Sequence, residues 1–120
     1  MAFYPASSTD VGAKTSYEID FASANYSAVA NSCNYYKIGD NLIYIEANIN
    51  HTTGATTASI GTIPNALRPT RAHALSVSGV GTDGSTFVHG SGYINSSGEL
   101  KAIMEASCKN FYVSGVYSLS

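Results

Sequence analysis

The 120-residue sequence predicts an all-β fold, an antiparallel β-sandwich or jelly-roll-like barrel of about seven or eight short strands. Three observations predict it. Apolar residues recur with a period of two, and no window sustains a period of 3.6. Turn signals fall every 8–12 residues or so. The composition, with 9 Tyr, 11 Gly, no Trp and abundant Ser and Thr, favours strands and turns over helices.

The elements follow in order. Residues 1–16 are small and polar, with Pro5 and Gly12, and read as a loose lead-in to a single domain over 17–120. Tyr17, Ile19 and Phe21 alternate with Glu18 and Asp20, a strand pattern. The Ala-rich stretch 22–31 leaves two readings, a short helical turn or an irregular strand. Residues 35–38 form a short strand stopped by Gly39-Asp40-Asn41, a turn cluster. In 42–50, Ile43, Ile45, Ala47 and Ile49 share one face of the clearest strand. Residues 51–55 read as a loop and 56–63 as another strand, ended by Pro64. Pro64 and Pro69 exclude a central strand around Leu67 and Arg68, so the chain crosses over there in a stiffened loop. His73 alternates with Leu75 and Val77 and is expected at a core edge. Asp83-Gly84 signals a hairpin turn before a Gly-interrupted strand over 85–94. Asn95 to Gly98 is a tight turn, with Gly98 suited to positive φ. Strands over 99–104 and 110–117 close the chain, with Phe111, Val113 and Tyr117 on one face.

Charge excludes several functions. Lys plus Arg is 6 and Asp plus Glu is 8, a net charge of −2, and six dispersed basic residues give no footprint for nucleic acid or anionic lipid. No stretch approaches the ~18 apolar residues of a membrane helix. The N-terminus lacks the basic start and apolar run of a signal peptide. Cys33 and Cys108 lack the spacing of a zinc or redox motif. A disulfide between them is one reading; without a secretory signal, reduced and buried thiols are the expectation. His51, His73 and His89 share no metal-ligand spacing. The eight carboxylates form no calcium loop, and no nucleophile, phosphate-binding or zinc-protease motif occurs. No catalytic residue, cofactor or metal is expected.

What the composition does offer is binding chemistry. Tyr presents a flat face to the C–H face of a sugar and a hydroxyl to its edge. Asn, Asp, His and Ser supply the hydrogen bonds that orient hydroxyl groups. Most of the tyrosines are nevertheless expected to pack in the sandwich or at a subunit contact.

Four stretches, in this order, add a family resemblance. They are Tyr36-Lys-Ile-Gly-Asp-Asn-Leu-Ile-Tyr-Ile45, Ile60-Gly-Thr-Ile-Pro-Asn-Ala-Leu-Arg-Pro69, Ile94-Asn-Ser-Ser-Gly-Glu-Leu100 and Val113-Ser-Gly-Val-Tyr117. Together, over roughly residues 33–118, they resemble the C-terminal head domain of bacteriophage tail-fibre and baseplate receptor-binding proteins. The resemblance implies a β-sandwich or jelly-roll head, assembled as a homotrimer with other tail or baseplate proteins. Such a head is made in the host cytoplasm and carried at the tail tip of the virion. It implies binding to a bacterial cell-surface saccharide, each weak site multiplied by avidity. Such heads normally follow a fibre stem or shoulder, whereas only about 16 loose residues precede the first strand here.

The motif residues have structural tasks of their own. Gly39 and Gly98 permit turns, Pro64 ends a strand and Pro69 stiffens the loop. Leu67 plugs the open end of the core, Arg68 ties loop carbonyls together and Tyr117 caps the sheet. For ligand binding, the loops at 51–55 and 80–85 and the strand 89–93 nominate His51, Asp83, His89 and Tyr93. Two other readings are carried alongside: a structural fibre tip that trimerises without a ligand, and a cellular lectin-like module.

Overall fold

A computed structural model describes residues 11–120. The fold is all-β and antiparallel, as expected. It comprises β1 (Thr15–Ser16), β2 (Asp20–Phe21), β3 (Tyr26–Ala28), β4 (Asn34–Ile38), β5 (Leu42–Thr62), β6 (His73–Gly81), β7 (Phe87–Ile94) and β8 (Glu99–Ser118). A 3-10 turn, Asn65–Leu67, lies between β5 and β6. One eight-stranded sheet has the order β1-β4-β5-β8-β6-β7; β2 and β3 also join β5, and β7 also joins β8.

The two long strands explain how one sheet encloses a core. The first part of β5 pairs Leu42–Asn50 with Asn110–Ser118, and its last part pairs Thr57–Thr62 with Glu99–Ile103. The late half of β8 also pairs with β6, and its early half with β7. Both long strands therefore bend in the middle and return their ends to the same side of the molecule. The result is sandwich-like: Ile43, Ile45 and Ile49 from early β5 meet Ile60, Leu100, Phe111 and Tyr117 in one buried cluster. Ile45, Ile49, Ile94 and Phe111 are wholly buried. Each such side chain contributes about 1.5–3 kcal/mol on burial.

Three expectations need correction. Residues 51–55 are not a loop: β5 runs through them, and its register against β8 shifts between Asn50 and Ala55. The bulge keeps the chain extended while turning it, so a local turn composition coexists with strand pairing on both sides. The closing strands over 99–104 and 110–117 are likewise one bent strand. The stretch 17–21 keeps its alternation, with Tyr17 and Ile19 buried and Glu18 and Asp20 exposed, but only Asp20–Phe21 pairs, with Thr62 and Gly61.

The remaining elements lie near their expected places. Of the two readings of 22–31, the irregular strand is present as β3. The expected loose lead-in lies outside the described residues through position 10; its described part departs from that expectation, because Val11 bridges to Ile38 and Thr15–Ser16 pairs with Tyr35 and Asn34, so backbone hydrogen bonds along β4 tie it to the sheet. Gly39, Gly84 and Gly98 have φ of 64, 80 and 83°, which fits their turns. Cys33 and Cys108 are buried free thiols.

Candidate functional site

The two ends of the folded sheet differ. At one end gather the termini of β5 and β8, the start of β6 and the β7–β8 turn. Leu67 is buried there, and the Tyr117 hydroxyl donates to its carbonyl at 2.6 Å. Arg68 Nε donates to the Ile63 carbonyl at 3.0 Å, and the Ile63 amide to the Gly98 carbonyl at 3.0 Å. A methyl group at Gly98 would lie 2.6 Å from Arg68 Nε, so the turn needs glycine for space as well as for φ. Leu67, Gly98 and Tyr117 stand where expected, whereas Arg68 reaches a single loop carbonyl, that of Ile63, rather than tying several together. Pro64 leads into the 3-10 turn, and Pro69 is buried behind it. This end is sealed.

The opposite end is open. The bulge of β5, the bend of β8 and the β6–β7 turn converge there, with Cys108 opposite both Ala55 and Gly81. Between the turn and the β8 bend lies a groove of about 280 Å3. Its polar lining is Thr82, Asp83, Thr86 and Ser107. Gly81, Val88 and Ala106 supply apolar surface.

Two of the four nominated residues build this end. Asp83 folds the turn: Oδ1 accepts from the amides of Ser85 and Thr86, both at 2.9 Å, and Oδ2 accepts from Thr86 Oγ1 at 2.5 Å. These donors, the Thr86 hydroxyl foremost, push its carboxyl down to about 2. Asp83 is thus both an Asp-Gly turn residue and a lining residue. His51 acts one step back. Its Nδ1 accepts from the amides of Thr53 at 3.3 Å and Gly54 at 2.9 Å, which assigns the ring proton to Nε2. Its ring meets Tyr26 edge-on at 4.8 Å. These contacts fix the bulge at Gly54, whose φ is 92°. A methyl group there would lie 2.7 Å from Thr82 Cγ2 and 2.8 Å from Ser107 Oγ. Gly54 is where the β5 bulge touches both walls of the groove.

His89 and Tyr93 are elsewhere. They share the outward face of β7, opposite Ser78 and Ala74 of β6. Tyr93 also faces Lys101 of β8. The nominated residues therefore do not form one site. His73 is half-buried at the sealed end, with its ring 5.9 Å from that of Tyr117.

Sequence reading missed Ser107 and Ala106 in the groove. The stretch from Glu105 to Lys109 has no turn signal, and only the pairing of β8 reveals its bend. It also missed Tyr112, 41 % exposed and opposite Ser78, although its alternation with Phe111 and Val113 signals the outward position. Among the described residues no three His, Cys, Asp or Glu side chains form a group that could hold a metal ion.

Chemically the groove offers hydroxyl donors and acceptors and one carboxylate beside an apolar patch. The hydroxyls of Thr82 and Ser107 bond to no described residue and remain available to a ligand. No family model, curated protein or solved structure matches this chain.

Proposed function

We propose that this chain is the receptor-binding head of a bacteriophage tail fibre or baseplate, and that it recognises a saccharide on the host cell surface by binding rather than catalysis. One observation carries the saccharide reading: the open-end groove sets Thr82, Asp83, Thr86 and Ser107 around the apolar surface of Val88 and Ala106. A sugar ring needs this pairing, because its edge carries hydroxyls and its face carries C–H groups.

The phage reading draws on the four ordered motifs, each of which falls on a coherent piece of the fold. Residues 36–45 span the β4–β5 hairpin, and 60–69 form the loop that seals the closed end. Residues 94–100 turn from β7 into β8, and 113–117 lie in the last strand. The head is proposed to act as a homotrimer at the tail tip, joined to other tail or baseplate proteins. Exposed apolar side chains, Phe87 at 72 %, Val116 at 52 % and Ile103 at 48 %, suit contact with further copies or neighbours. They equally favour a second reading, a structural tip that trimerises without a ligand.

Light scattering on the purified chain, combined with pull-downs on a panel of bacterial cell walls, tests both readings. A trimer retained by some walls and displaced by their soluble saccharide is expected. A trimer retained by none moves the assignment to a structural tip. A monomer overturns the trimeric head.

A further inference from the structure

Asp83 is the one formal charge among the residues lining the groove. Its carboxylate bonds account for two acceptances at Oδ1 and one at Oδ2, which leaves acceptor capacity on Oδ2. That capacity can be met only by a donor. The neighbouring hydroxyls of Thr82 and Ser107 accept or donate as the ligand requires. A ligand carboxylate or phosphate placed here would face an ionised carboxylate without a lining cation to offset it. A protonated amine would form a charge-assisted hydrogen bond instead.

Size narrows the choice. The groove of about 280 Å3 lies just below the range of roughly 300–1,000 Å3 that holds drug-sized ligands. It suits a single ring rather than an oligomer.

We infer that the groove takes a hydroxylated primary amine in its protonated form, with Asp83 receiving the ammonium group and Thr82 and Ser107 the hydroxyls. This deepens the saccharide reading and rests on it: the sugar would be a terminal, unacetylated amino sugar. Because Asp83 is exposed, the preference is modest, about two- to five-fold over the neutral analogue.

Titrations of the 15N-labelled chain with glucosamine, N-acetylglucosamine and glucuronate test it through amide shifts. Glucosamine is expected to move the amides of 81–86 and 106–107, with affinity about two- to five-fold above that of N-acetylglucosamine. Glucuronate should bind more weakly than either. Asp83→Asn, which keeps an acceptor for the turn amides, should equalise the first two sugars. Ser107→Ala, which breaks no side-chain hydrogen bond among the described residues, should weaken both sugars and leave their ratio unchanged. Equal groove shifts from glucosamine and N-acetylglucosamine with the unaltered chain would overturn the amine inference and leave saccharide binding in place. If no sugar moves these amides, the inference fails and the groove is lost to the saccharide reading as well.

Discussion

The sealed end and the open end are built from the same two strands and reach opposite outcomes. At the sealed end buried and hydrogen-bonded side chains close the opening: Leu67 occupies it, Tyr117 reaches the Leu67 carbonyl, and Arg68 reaches that of Ile63. At the open end the strands bend without crossing loops, and short polar side chains, Thr82, Asp83, Thr86 and Ser107, stand around the gap beside Val88 and Ala106. Long apolar side chains stabilise by leaving water. Short hydroxylated ones leave a concavity whose hydrogen bonds remain available. If the open end carries the proposed binding role, stability and binding fall to different ends, and the comparison predicts that substitutions will separate the same way.

Leu67→Ala should have the largest effect. It empties a site only 5 % exposed and should cost about 2–5 kcal/mol in urea denaturation. The open-end counterpart, Ser107→Ala, should stay within about 0.5 kcal/mol. Equal costs would dissolve the distinction. Tyr117→Phe comes next. It keeps the ring and removes the donor to the Leu67 carbonyl, a loss of about 1–3 kcal/mol by the same measurement.

The sealed end was legible in the sequence, and the open end only in part. Pro64, Pro69, Gly98 and Tyr117 act through local geometry or a clear alternation, so their tasks could be read from the chain. The Asp83-Gly84 turn was legible for the same reason. The β5 bulge was half legible: Thr52-Thr53-Gly54 correctly signals a break, but pairing with β8 resumes at Ala55 and keeps the segment within a strand. Ser107 and Ala106 were not legible, because their bend is imposed by register with β5 and β6 rather than by their own composition. His89 and Tyr93 show the converse limit. They are near Asp83 in sequence, yet strand alternation places them on the outward face of β7.

Gly54→Ala sharpens the comparison at the open end. Its φ of 92° disfavours any side chain, and the added methyl would press on Thr82 and Ser107, both exposed and able to give way. A cost of about 1–2 kcal/mol follows from the backbone conformation alone. The larger consequence should be functional, because both groove walls shift. Retention on cell walls should fall with Gly54→Ala, whereas Tyr117→Phe should leave it unchanged in folded protein. Loss of retention with Tyr117→Phe alone would show that the ends are coupled.

The smallest expected effect distinguishes the ends by pH. At the open end, the Asp83 carboxyl is held at about 2, below the ordinary value of ~3.9, by the Thr86 hydroxyl and the turn amides. Between these values the unfolded chain binds a proton that the folded chain does not. Its contribution to stability is present above the unfolded value and is lost as pH falls from about 4 through about 2. At the sealed end the sign reverses. Burial raises the Tyr117 phenol above its ordinary range, as it does Tyr17, where Cys33, Tyr117 and Glu46 add to it. A neutral buried phenol stabilises below the unfolded value of ~10, and that contribution is lost as pH rises beyond it. Denaturation midpoints followed from pH 2 to 12 should therefore fall at both extremes. Asp83→Asn should remove part of the acid slope only. Tyr117→Phe should remove part of the alkaline slope only, with Tyr17 retaining the rest. An acid slope untouched by Asp83→Asn would mean that the turn hydrogen bonds persist in the unfolded chain or that another carboxylate carries the titration, and the open end would then owe its shape to the β5 bulge rather than to the Asp83 turn.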